Sequence, residues 1–193
     1  MKLKMLGLAA SAAMALTAFA APAASATTLE VGGVAKNSAV AISASLKSGT
    51  SSVWATTATN FIANTCTVSS MGGTTSVFTG ATVSAPLSTL SFSSCTEEPV
   101  TVDTKGSLTV ERIGSTTNGT VRSADTRVTV PSPFGPLACV TGTGTDIGTL
   151  TGVASGNATI HINAVINCGI LLPSALWEAT YTVTSPSGLG VTG

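Results

Sequence analysis

The chain holds one histidine, His161, in the stretch TIHINAVINC from Thr159 to Cys168. It is the only side chain here whose ordinary pKa lies near neutrality, so acid–base catalysis would turn on it first. A catalytic histidine needs a nucleophile within hydrogen-bond reach and a carboxylate to orient its ring. Ser and Thr occur throughout and single out no nucleophile, and no G-x-S-x-G elbow is present. Other chemistry-bearing residues are Glu97 and Glu98, adjacent carboxylates before Pro99, and Asp103, Asp125 and Asp146, which lack calcium-loop spacing. The run TGTGTDIG at Thr141 to Gly148 has the glycines of a phosphate loop, but no Lys and no following helical pattern, so it reads as a turn between strands. Asn118-Gly119-Thr120 and Asn157-Ala158-Thr159 match the glycosylation acceptor pattern, a signal of little weight in a bacterial chain.

The four cysteines carry the clearest chemistry. Cys66, Cys95, Cys139 and Cys168 include no C-x-x-C pair and no nearby histidine cluster, which argues for disulfides over a metal site. Three pairings are open. Cys66 to Cys95 and Cys139 to Cys168 are both 29 residues apart in sequence. Each interval has a Thr-Gly near its middle (Thr79-Gly80, Thr151-Gly152) and ends in a strand-like run, LSTLSFSSC or TIHINAVINC. A weak internal duplication over 66–95 and 139–168 follows from this, and with it the pairings Cys66–Cys95 and Cys139–Cys168. Each closed loop should stabilise the fold by about 3–4 kcal/mol in the chain-entropy account.

The elements that must position these residues are strands. Val40, Ile42, Ala44 and Leu46 alternate with small polar residues; so do Leu108 and Val110, Val128 and Val130, and Trp177, Ala179, Tyr181 and Val183. Turn signals separate the runs at Lys105-Gly106, Asn118-Gly119, Ser132 to Pro136 and Ser185 to Gly188. Period-two patterning with Thr and Ser on the second face predicts sheets buried on one side. The expected class is all-β: an antiparallel β-sandwich, with a β-barrel as the alternative, in one domain with two disulfides. In TIHINAVINC, Ile160, Ile162, Ala164 and Ile166 share the buried face, which places His161 on the wet one. His161 is therefore read as a strand passenger, and no catalytic, cofactor-binding or metal-ligating residue is expected.

Composition bounds the rest. The N-terminus has a basic start (MKLK), an apolar run from Met5 to Ala20 and the small residues Ala24-Ser25-Ala26, the pattern of a cleaved signal peptide over residues 1–26. Its apolar run is shorter than the ~20 residues of a spanning helix, and its brevity looks bacterial. The remaining chain, 27–193, fits one domain. Charged residues make up 8% and aromatics 4% of the sequence. Without Lys2 and Lys4, six basic and eight acidic residues remain, a net charge of −2 that offers no basic stripe for nucleic acid.

The blocks TTNGTVRS, VPSPFG, IGTLTGVASG, INAVINCG, LLPSALW and TYTVTSPSGLGV, with NTCT upstream, resemble a family of small secreted bacterial hypothetical proteins across nearly all of residues 27–193. That family supplies no catalytic residue or cofactor to carry over. More distantly, a signal peptide, Ser/Thr/Gly-rich strands and cysteines closing similar loops are similar to the extracellular activators of alkane oxidation. That likeness rests on architecture, and it implies a factor connected with apolar substrates.

Two functions are expected from this reading, neither enzymatic. The first is a secreted or cell-surface protein, periplasmic if export stops there, with a structural, adhesive or interaction role. It would self-associate through an exposed sheet edge such as TYTVTSPSGLGVTG, weakened by Pro186 and its glycines. The second is an extracellular binding module for a hydrophobic small molecule such as an alkane or fatty acid. It would be held in the domain interior or against the apolar loops Pro131 to Leu137 and Ile170 to Pro173.

Overall fold

The computed structural model describes residues 26–57, 61–133, 135–169 and 174–193. Residues 1–25, within the expected signal peptide, and residues 170–173, expected from sequence as an apolar loop, lie outside them. Sixteen strands and no helix occur among the described residues. In chain order they are β1 (Thr27–Val31), β2 (Val34–Ala35), β3 (Ala41–Leu46), β4 (Ser52–Thr56), β5 (Ile62–Thr74), β6 (Thr79–Gly80), β7 (Val83–Cys95) and β8 (Thr101–Thr104). Then follow β9 (Ser107–Arg112), β10 (Gly119–Ala124), β11 (Arg127–Val130), β12 (Leu137–Val140), β13 (Thr145–Thr151), β14 (Thr159–Ile166), β15 (Ala175–Ser185) and β16 (Leu189–Thr192).

Nine of these strands form one antiparallel sheet in the order β14-β13-β10-β9-β7-β5-β3-β15-β4, and β14 also pairs with β15. That last ladder, from Thr159↔Thr182 to Ile166↔Ala175, closes the sheet on itself. β3 and β4 lie end to end in one position. Both pair with β5 and β15, β3 through Ser45↔Ser70 and Thr182↔Ser45, and β4 through Val53↔Thr65 and Glu178↔Val53. The result is a closed barrel of eight staves (nine strands less one shared position) in which every stave is bonded to its neighbour in sequence. The excursion between β3 and β4 turns at Lys47 to Thr50, where Thr50 N–H and Oγ1–H both donate to the Lys47 carbonyl and Gly49 has φ +78°.

The all-β class matches the alternation in the sequence; the architecture is the barrel, the second of the two expected forms, and the sandwich is corrected. The physical reason is closure. Period two specifies one buried face per strand, and a sheet satisfies that equally by facing a second sheet or by curling round its own interior. In β14 and β15 the alternation is nearly perfect: Ile160, Ile162, Ala164, Ile166, Trp177, Ala179, Tyr181 and Val183 are buried, and their intervening residues face outward.

The two ends of the barrel are covered differently. At one end the four-stranded sheet of β16, β1, β2 and β6 forms a lid. Leu29, Leu189 and Val191 of that lid are buried, each contributing about 1.5–3 kcal/mol by leaving water. Thr27 Oγ1–H donates to the Ala81 carbonyl and accepts from Arg112 N–H, at 3.1 Å each, tying β1 to the barrel wall. The C-terminal strand proposed from sequence as a sticky edge is occupied: β16 pairs with β1, Val153 N–H donates to the Leu189 carbonyl, and Val191 N–H donates to the Thr117 carbonyl.

At the opposite end the small sheet β12-β11-β8 packs on the barrel's longer strands, burying Val128, Val130 and Leu137 against Trp54, Phe92 and Trp177. Both disulfides belong to this end. Cys66–Cys95 joins the paired strands β5 and β7, while Cys139–Cys168 ties β12 to the end of β14. The two equal sequence intervals thus enclose different structures.

Candidate functional site

His161 stands on the outer face of β14, exposed, with Thr149 and Thr180 as its cross-strand neighbours. Its Nδ1 lies 3.2 Å from Thr180 Oγ1. Glu97 and Glu98 contribute backbone rather than carboxylate chemistry: Glu97 N–H donates to Asn64 Oδ1, and the Glu98 carbonyl accepts from Asn64 Nδ2. Asp103 accepts from Thr129 Oγ1, and Asp125 occupies a turn at φ +59°. Asp146 and Glu111 flank Arg122 on the outer wall, and their hydrogen bonds, Asp146 first, raise the guanidinium pKa above its ordinary value. TGTGTDIG is a turn, with Thr145 donating to the Gly142 carbonyl as the chain enters β13. Apart from Asp146 and Glu111 on Arg122, the structure brings none of these residues together. Among the described residues no three of His, Cys, Asp and Glu are close enough to hold a metal ion.

What the fold does bring together is its interior. A cavity of about 60 Å³ lies beneath the lid, lined by Leu29, Leu189 and Val191 above and by wall residues such as Ala44, Met71 and Ile160. Thr75 is its single polar side chain, and that hydroxyl is already engaged, accepting from Val40 N–H at 2.8 Å. The volume is several times the ~10–15 Å³ a cavity needs to hold one water, yet a water there would find almost no partners. Glycine helps to make the space. Gly73 lies between Ile42 and Leu87 in the ladder and adds no side chain, and a Cβ there would collide with the Pro86 carbonyl where β7 shifts register. The cavity is least enclosed toward β3, β7 and β9: Ile42, Ala85, Leu87, Leu108 and Val110 are half-buried, whereas the lining from β10, β13, β14 and the lid is fully buried. The β7–β9 ladder there is four pairs long and includes Pro86, which has no N–H to donate.

Deeper in the barrel an aromatic group fills the section. Trp54 and Trp177 are directly paired across β4 and β15 and stack at 5.1 Å with a 3° interplanar angle, while Phe92 meets both edge-on. Trp177 Nε1–H donates to Ser52 Oγ at 3.0 Å, and Tyr181 Oη lies 2.8 Å from Ser69 Oγ, which in turn donates to the Ser91 carbonyl. Burial pushes the Tyr181 phenol up to about 12, against the opposing pull of its hydrogen bonds with Ser69 and Ser52. A second hydroxyl group, Ser123, Thr126 and Thr141, is buried nearby and internally bonded at 2.9–3.0 Å. Trp54 Nε1 is different: it is buried and has no hydrogen-bond partner.

Sequence reasoning placed Ile42, Ala44, Leu108, Val110 and the β14 isoleucines on a buried face but could not see that they surround a void. The polar interior residues Ser52, Asn64, Ser69 and Ser123 left no trace in a composition where Ser and Thr are everywhere.

No family model, no curated protein and no solved structure matches this chain.

Proposed function

We propose that this chain is an exported, non-enzymatic barrel that holds a small apolar molecule in its interior. The observation that carries the reading is the cavity beneath the lid: about 60 Å³, lined by seven of the barrel's eight staves and by the lid, and with its one polar side chain already bonded. Eight staves give an interior just wide enough to be filled by side chains or to hold one small ligand, and here a part is left unfilled. Export is supported by the sequence pattern of residues 1–26 and by the two disulfides, which persist in oxidising compartments. No helix among the described residues is long and apolar enough to cross a membrane.

Xenon tests this directly, because it enters dry apolar cavities and makes no hydrogen bonds. The oxidised protein should show saturable xenon uptake by xenon NMR. An Ala44→Leu variant, which fills the lining, should lose it while keeping its β-sheet circular dichroism. Absence of saturable uptake in the unsubstituted protein would overturn the reading.

A further inference from the structure

The cavity beneath the lid is the first of three voids in series. Met71, Leu87 and Leu108 line both it and a second void of about 10 Å³, which also touches Ser123, Thr126 and Trp177. Leu90, Thr126 and Trp177 are in turn shared with a third void of about 10 Å³, lined also by Trp54, Phe92 and Thr141. The interior is thus a run of spaces from Leu29 at the lid to Trp54 near the opposite end, divided by a few side chains. Met71 is the most adaptable of the dividing residues, with three rotatable bonds and no branch.

The far end of this run differs chemically from the near end. It holds the buried hydroxyls of Thr126 and Thr141, and Trp54, which is 2% exposed and whose Nε1–H has no acceptor. A buried donor without a partner has lost its hydrogen bond to water, and an incoming acceptor would restore one. Its neighbour in the stack, Trp177, has its own indole N–H satisfied by Ser52, so the deficit belongs to Trp54 alone of the pair. No charged side chain lines any of the three voids. A carboxylate buried here would have no counter-ion, which excludes an ionised fatty acid from lying with its head inside.

Resting on the binding function above, we propose that the three voids form one elongated site for a neutral, unbranched molecule. Its hydrocarbon part lies beneath the lid, and a terminal oxygen accepts the hydrogen bond of Trp54 Nε1. Met71, between the first and second voids, and Leu90, between the second and third, set the length that can pass, since the chain reaches Trp54 only when both side chains swing aside.

The test uses the two tryptophans as reporters, since the sequence contains only Trp54 and Trp177. The ¹⁵N-labelled, oxidised protein is titrated with xenon, then with primary alcohols of increasing length and with the hydrocarbons of equal length. Xenon should bind without moving the Trp54 indole N–H resonance. Alcohols long enough to pass Met71 and Leu90 should displace xenon and shift that resonance downfield, and the matched hydrocarbons should displace xenon with no such shift. A Trp54→Phe variant should keep xenon uptake and weaken alcohol binding about five-fold or more. If that variant does not fold, the titration of the unsubstituted protein decides by itself. Alcohols that displace xenon and leave the Trp54 resonance in place would overturn the elongated site and leave the apolar cavity standing. Failure of xenon and alcohols alike would overturn both.

Discussion

The chain's single tyrosine sits at the centre of its interior polar group, and this makes one residue a direct report on burial. Tyr181 is raised from 10.0 to about 12. The folded state therefore holds the phenolic proton more tightly than the unfolded state does. The stability this confers is complete below pH 10 and is lost as pH rises through about 12. At about 1.4 kcal/mol per pH unit the loss is about 3 kcal/mol. Phenolate absorbance should accordingly titrate near 12 in the folded protein and near 10 after unfolding, and Tyr181→Phe should remove this part of the alkaline loss in urea melts. A folded-state midpoint near 10 would show that the phenol is open to water. Asn64 illustrates the same economy of buried polarity: its amide meets the carbonyls of Glu98 and Pro131, Thr96 Oγ1 and Glu97 N–H, so one side chain fixes two loops to β5. His161 has no comparable surroundings, and its place on the outer face was readable from the alternation of its strand.

Among the elements, the two disulfides act on different mechanical joints. Cys66–Cys95 reinforces strands that already share a long ladder. Cys139–Cys168 is the disulfide that joins the small sheet of β8, β11 and β12 to the barrel, beside the backbone bridge of Val140 to Asn167. Loop closure alone assigns both bridges about 3–4 kcal/mol, because both intervals are 29 residues. The consequences of removal should nevertheless differ. With Cys139 and Cys168 both replaced by Ala, hydrogen exchange should rise selectively in β11 and β12. With Cys66 and Cys95 replaced, the loss should be global, with no selective exposure of that sheet. Equal exchange patterns in the two double variants would refute this division. The equal spacing was visible in the sequence; the inequality of the joints was not, because it depends on which strands lie beside one another.

At the scale of the whole molecule, closure governs how the protein meets other copies of itself. The barrel closes on itself, so none of its staves is an edge along its whole length, and the outer strands of the two smaller sheets are two to four residues long, such as β2, β6, β8 and β12. Sedimentation of the oxidised protein should therefore give one species across a wide concentration range. Concentration-dependent polymers would instead favour the surface-assembly role and direct attention to those short edges. The sequence by itself determined the secondary structure class, through period-two alternation, and the faces of β14 and β15, because each needs only nearest neighbours along one strand. Its export pattern and cysteine chemistry are likewise local readings. Only the tertiary structure decided between sandwich and barrel, because both bury one face of every strand and differ solely in whether β14 meets β15. Only it revealed the cavity and the partnerless indole of Trp54, since a void is defined by side chains from six or more strands at once and no stretch of sequence contains it.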